Sequence, residues 1–163
     1  STIQALAAAL AAGECHVTGP GIGLPVPAGV TINGLDDLAL NRRLGWTLPA
    51  RADDAPRPGG RRVGDLIMGP DDTPVVILTP DAAFTEAARK PAMVNAGARA
   101  QQAWAAFWEE GLGYPHWARK RSGANNLGIT VRAAGVTGVP IALETLLAVG
   151  DGSWGVTEDG SAA

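Results

Sequence analysis

The chain reads as a single α+β (or α/β) domain over residues 1–163, a small mixed β-sheet covered by four to five helices, with long Gly/Pro-rich loops and extended termini. Three observations predict this. Two β-rich runs, 63–68 and 75–79, flank Gly69-Pro70-Asp71-Asp72-Thr73-Pro74, a turn-rich connector of hairpin length. In the second run Val75, Val76, Ile77 and Leu78 are continuously apolar, the pattern of a central strand covered on both faces. Helices must then pack on the sheet, and segments with helical spacing and end signals lie on either side of the hairpin.

Residues 1–13 predict the first helix. Ser1 and Gln4 have capping-box spacing, Ile3, Leu6, Ala7 and Leu10 recur at helical intervals, and Gly13 suits the stop. The rest is mostly alanine, which lets a helix lie close to a partner surface, either its own core or another subunit. A short strand is expected over 14–18. Residues 19–29 form a Gly/Pro loop: Gly19, Gly21 and Gly23 suggest a phosphate cradle, but no Gly-Lys-Ser/Thr follows and the prolines remove backbone donors. A rigid surface arm fits better.

A second strand is expected over 30–32, then a turn at Asn33-Gly34. Residues 35–44 predict a helix with Leu35, Leu38 and Ala39 inward, Asp36 and Asp37 in its first turn and Arg42 and Arg43 in its last. That order suits the helix dipole, which accounts for the adjacent aspartates without a catalytic pair. Gly45 ends the helix and Trp46 returns to the core. The stretch 49–62 reads as a long loop, because Pro49, Pro56, Pro58, Gly59 and Gly60 interrupt it.

Beyond the hairpin, Thr79 as N-cap, Pro80 at N1 and Asp81 open a helix that runs to about Lys90, where Pro91 breaks it. The next helix is predicted over 92–110, with Val94, Ala98, Gln101, Trp104, Phe107 and Trp108 along one side and Gly111 just past its end. It is the expected centre of the core. Residues 112–126 are irregular, closing in a turn at Asn125-Asn126. A strand over 127–133 follows, then a helix over 141–149 with Pro140 at N1 and Gly150 as its stop. An edge strand over 153–157 lies in a C-terminal tail, 151–163.

Net charge is −3, but its layout is uneven: no Lys or Arg precedes Arg42 and none follows Arg132. Acidic ends around a basic middle suit head-to-tail or side-by-side association of like subunits. No apolar run approaches the roughly 20 residues a membrane span needs, so no membrane association is expected. The absence of a signal-like start and the single Cys15 point to cytoplasmic synthesis.

Chemistry is sparsely supplied. Cys15, His16 and His116 are the only Cys and His residues, too few for a Cys/His metal site, and no cofactor motif occurs. Cys15 and His16 are adjacent in a strand and so face opposite ways. Cys15 with His116 forms the one nucleophile–base pair that a hydrolase could use, if the fold joins them. No enzyme activity is therefore expected. The segment Tyr114, His116, Trp117, Arg119, Lys120 and Arg121 mixes aromatics with positive charge, and Arg57, Arg61 and Arg62 form a second basic group. These are the candidate partner-binding residues.

The reading that accommodates most features is a non-enzymatic structural or assembly protein that associates through its arms and termini, such as a phage virion or injection-apparatus component. One alternative is a nucleic-acid-binding accessory protein, with Tyr114 and Trp117 stacking on bases and the Arg/Lys run on phosphates; the net negative charge opposes it. An immunity or adaptor protein that binds one partner is the other.

Overall fold

The computed structural model describes residues 1–23, 37–47, 55–91, 93–94, 97–119 and 128–152. In chain order the elements are α1 (Thr2–Ala11), β1 (Cys15–Thr18), α2 (Asp37–Arg43), β2 (Trp46–Thr47), β3 (Arg57–Pro58), β4 (Arg61–Met68) and β5 (Pro74–Leu78). Then come α3 (Pro80–Ala88), α4 (Ala100–Glu109), β6 (Val131–Ala133), β7 (Val136–Ala142) and α5 (Leu143–Gly150). Five strands form one sheet in the order β1-β4-β5-β7-β6, and β2 pairs with β3 in a separate ribbon. Only β1 and β4 run parallel, so the sheet is mixed and the fold is a single-domain α+β.

The predicted hairpin is its centre. β4 and β5 are antiparallel, with Leu66 opposite Val76, and a 3-10 turn at Pro70–Asp72 joins them. β5 is interior, and its uninterrupted apolar run is divided between two faces: Val76 and Leu78 enter the main core, Val75 and Ile77 a smaller one with Tyr114 and Val131.

The main core lies between the sheet and the helices. In α1 the Ser1 hydroxyl accepts from the Gln4 N–H, and the Gln4 side-chain oxygen accepts from the Ser1 nitrogen. Ile3, Ala5, Leu6, Ala7, Ala9 and Leu10 are buried against α3 and α5. The alanines thus serve this protein's own core, where small side chains let three helices approach. Gly13 ends the helix at φ +73°. In α2 Leu40 and Asn41 are buried, as is Leu44 just past its end, and Leu35 and Asp36 lie outside the described residues.

The N-cap expected at Thr79, with Pro80 at the start of α3 and Asp81 in its first turn, is in place, though the Thr79 side chain makes no capping bond. Other expectations need correction. The helix expected over 92–110 begins only at Ala100: residues 93–94 are in a turn and Gly97 has φ +83°, which a right-handed helix does not accommodate. Consequently Gln101 is exposed, while Trp104 and Phe107 are buried as expected. Within the segment read as a loop over 49–62, Arg57–Pro58 pairs with Trp46–Thr47 and β4 is already under way at Arg61.

A further correction concerns Pro140, which lies within β7, opposite Ile77, and does not start a helix. A proline is tolerated in a strand where its missing donor faces an unpaired side. β6 covers β7 only from Val136 to Gly138; past it no described strand pairs with the outer side of β7, and there the Pro140 carbonyl accepts from the Tyr114 N–H at 2.9 Å. β6 itself begins at Val131, later than expected, and reaches β7 through Ala134 (φ +50°) and Gly135 (φ +77°). Several expectations lie outside the described residues: the strand over 30–32, the Asn33-Gly34 and Asn125-Asn126 turns, and the edge strand over 153–157.

Candidate functional site

The aromatic segment after α4 is positioned by three local contacts. Gly111 (φ +76°) ends the helix. Gly113 lies flat on the Trp108 ring, where a Cβ would fall 2.3 Å from Cε3. The Tyr114 N–H then bonds the free edge of β7. This drives the Tyr114 ring into the smaller core beside Val75, Ile77 and Val131. Trp117 meets it edge-on at 4.9 Å between centroids and His116 at 5.1 Å. Arg119 places its guanidinium carbon 4.7 Å from the centre of the Trp108 ring, whose indole N–H donates to the Ile129 carbonyl at 2.9 Å.

Tyr114 is therefore a core residue, and the accessible part of the segment is His116 with the outer sides of Trp117 and Arg119. Lys120 and Arg121 lie outside the described residues.

The second basic group sits elsewhere. Arg57 is exposed on β3 opposite Thr47. Arg61 and Arg62 open β4, opposite Cys15 and His16. Arg62 pairs with Asp65, whose other carboxylate oxygen accepts from the Thr18 hydroxyl at 2.8 Å. The Tyr114 ring reaches Gly69, just past the far end of β4. At about 3.3 Å per residue, that is about 25 Å from Arg61. Among the described residues the two groups do not form one surface.

What holds the arginine-bearing segment is a set of close backbone approaches. A Cβ on Gly45 would fall 1.8 Å from the Cys15 carbonyl oxygen, and one on Gly59 would fall 1.9 Å from that of Gly13. The His16 Nδ1–H donates to the Gly59 carbonyl at 2.8 Å. The Val17 N–H donates to Leu44, and its carbonyl accepts from the Trp46 indole. The outer edge of β1 is closed by these contacts.

The fold does not unite Cys15 with His116. Cys15 is fully buried in the main core, whereas His116 stands exposed beside Tyr114 on the opposite side of the sheet. Burial, reinforced by the negative charges of Glu86 and Glu14, pushes the Cys15 thiol from an ordinary 9.0 up to about 12, against the weaker pull of Lys90 and Arg89. It stays protonated, and so a poor nucleophile, near neutral pH. Among the described residues no three His, Cys, Asp or Glu side chains converge on a metal-sized space. No described helix is long and apolar enough to cross a membrane.

Sequence reasoning missed two surface depressions that flank α1. The larger, about 590 Å³, lies between the start of α1, residues 93–94 and 97–98, and α4, and is lined by Ile3, Met93, Val94, Ala98, Ala103 and Phe107 among others. The smaller, about 430 Å³, lies between α1 and the end of α5, where Ala7, Ala8, Ala11 and Val149 line it. Met93, 46% exposed, borders both. The larger depression lies where residues 93–94 and 97–99 are not helical, before α4 begins at Ala100. Gly97 was the available signal, since it interrupts what otherwise looks like one long helix.

No protein-family model matches the chain, and neither a curated protein nor a solved structure matches it.

Proposed function

We propose that the protein is non-enzymatic and acts by associating with other proteins, as a structural or assembly component. The observation that supports this is the larger depression. It is solvent-open, walled by Ile3, Val94, Ala98 and Phe107, and edged by the exposed thioether of Met93. Ser1, Thr2, Gln102 and Glu110 add polar groups to the same lining, so the concavity offers an apolar wall with hydrogen-bonding edges to a partner's anchoring side chain, and methionine at the rim adapts to varied shapes. Assembly into a larger particle, such as a phage virion or injection apparatus, is the setting we favour. An immunity or adaptor role with a single partner would use the same surface. The nucleic-acid reading has less support, because the Tyr114 ring is buried and Arg119 rests on Trp108.

Light scattering across a concentration series tests the assembly reading. Association that rises with concentration and is lost on Met93→Asp or Ala106→Arg is expected. A protein that remains monomeric at every concentration would overturn assembly from like subunits.

A further inference from the structure

We propose that the partner taken by the larger depression is a second copy of this chain, its α4 lying antiparallel to α4 across a two-fold axis; this rests on the association through that surface proposed above. Trp104 and Phe107 turn one side of α4 into the core, and the side beside the depression carries Arg99, Ala103, Ala106 and Glu110. At 3.6 residues per turn these four positions fall within about 60° of one another. Ala103, Ala106 and Glu110 line the depression, and Arg99, Ala106 and Glu110 are exposed. Their spacing is symmetric about the midpoint between Trp104 and Ala105. A two-fold axis through that point sets Ala103 against Ala106 of the second copy, and Arg99 against its Glu110.

The helix itself does not explain its terminal charges. A helix favours acidic groups at its start and basic groups at its end, and α2 follows that order, with Arg42 and Arg43 in its last turn. In α4 the order is reversed: Arg99 is the N-cap, Glu109 and Glu110 stand at the close, and the first turn has no acidic residue and the last no basic one. Nor does the rest of the domain neutralise them, since among the described residues neither Arg99 nor Glu110 forms an ion pair. An antiparallel copy answers both charges. It brings Glu110 and the carbonyl end of its α4 to Arg99, and Arg99 and the amide end to Glu110. At the crossing Ala103 and Ala106 are small enough for the helix axes to approach to about 8 Å, the short end of the usual range, and Ile3, Val94 and Phe107 supply the apolar floor. A contact of this symmetry is closed, so this surface makes a dimer.

Sedimentation velocity of the full chain across a concentration series tests the pairing through its charges. Because the contact repeats across the axis, Arg99→Glu and Glu110→Arg each create two like-charge pairs, and each should weaken dimerisation by about tenfold or more. An equal mixture of the two variants should restore it, since every end then meets its opposite, and so should the double variant. Both substitutions give α4 the charge order its dipole favours, so a lost helix would not account for lost association. Weakening without restoration in the mixture would overturn the antiparallel pairing. So would dimerisation that neither variant weakens; loss of that dimer on Ala106→Arg would then show that the depression still serves as the surface. A chain monomeric at every concentration would overturn this pairing together with assembly from like subunits.

Discussion

On one side of β5, Val76 and Leu78 meet a layer of helices that contributes Leu6, Leu10, Trp104 and Leu146; on the other, Val75 and Ile77 meet Tyr114, with Trp117 packed outside it. Both faces exclude water from a strand that is apolar on both sides. They differ in what positions the cover. A helix carries its own backbone hydrogen bonds, so α1, α3, α4 and α5 need only an apolar stripe to pack. The 112–119 segment has no such internal support and is held by the bond from Tyr114 to Pro140, the Gly113–Trp108 contact and the stacked rings. The same burial is therefore cooperative on one face and local on the other.

The largest effect should come from the helical face. Trp104 is fully buried, stacks edge-on against Phe107 at 5.6 Å and donates its indole N–H to the Pro80 carbonyl at 3.0 Å, tying α4 to the start of α3. Trp104→Ala leaves a cavity and removes the indole bond that ties α4 to α3, and should cost about 3–5 kcal/mol in a denaturant titration. If the domain unfolds as one unit, amide exchange should quicken across α1, α3, α4 and the central strands together. Exchange that quickens only in α4 would show that the helical face is not cooperative.

The same contrast explains what could be read from the sequence. The capping box of Ser1 and Gln4, the apolar run 75–78 and the stop at Gly111 are local patterns, and each has its predicted place. β7 was misread because Pro140 looks like a helix start; only its position beside the short β6, with Tyr114 on the open edge, makes a proline acceptable there. Likewise Gly59 reads as a loop former, yet its lack of a side chain serves a tight passage against Gly13. The candidate surfaces were half legible. The composition of residues 114–121 drew notice, but that Tyr114 would be core and His116 surface depends on which strand edge lies free. The depressions along α1 depend on where three helices end, and no local pattern reports that.

A smaller effect is expected on the second face. Tyr114→Ala removes the centre of a minor core, and should cost about 1–3 kcal/mol, within the common range for a single buried contact. Exchange should quicken at residues 112–119 and along the outer side of β7, while α1 and α3 keep their protection. Loss of protection throughout the domain would make the two faces equivalent and remove the distinction drawn here.

The smallest effect at neutral pH concerns Cys15, on the helical face. Cys15→Ala should cost about 1 kcal/mol at pH 7, and its informative behaviour lies at higher pH. The thiol releases its proton near 9.0 in the unfolded chain but only near 12 in the folded one. A raised folded value means that the contribution is fully present below pH 9. It declines as pH rises from 9 towards 12, because the unfolded chain gives up its proton first and gains stability relative to the fold. The parent should therefore lose stability over that interval faster than Cys15→Ala, and the gap between them should narrow and then reverse. Comparing the two proteins cancels every contribution that both share. Parallel pH profiles for the pair would show that Cys15 meets solvent freely, and that the helical face is looser at β1 than the close contacts of Gly45 and Gly59 imply.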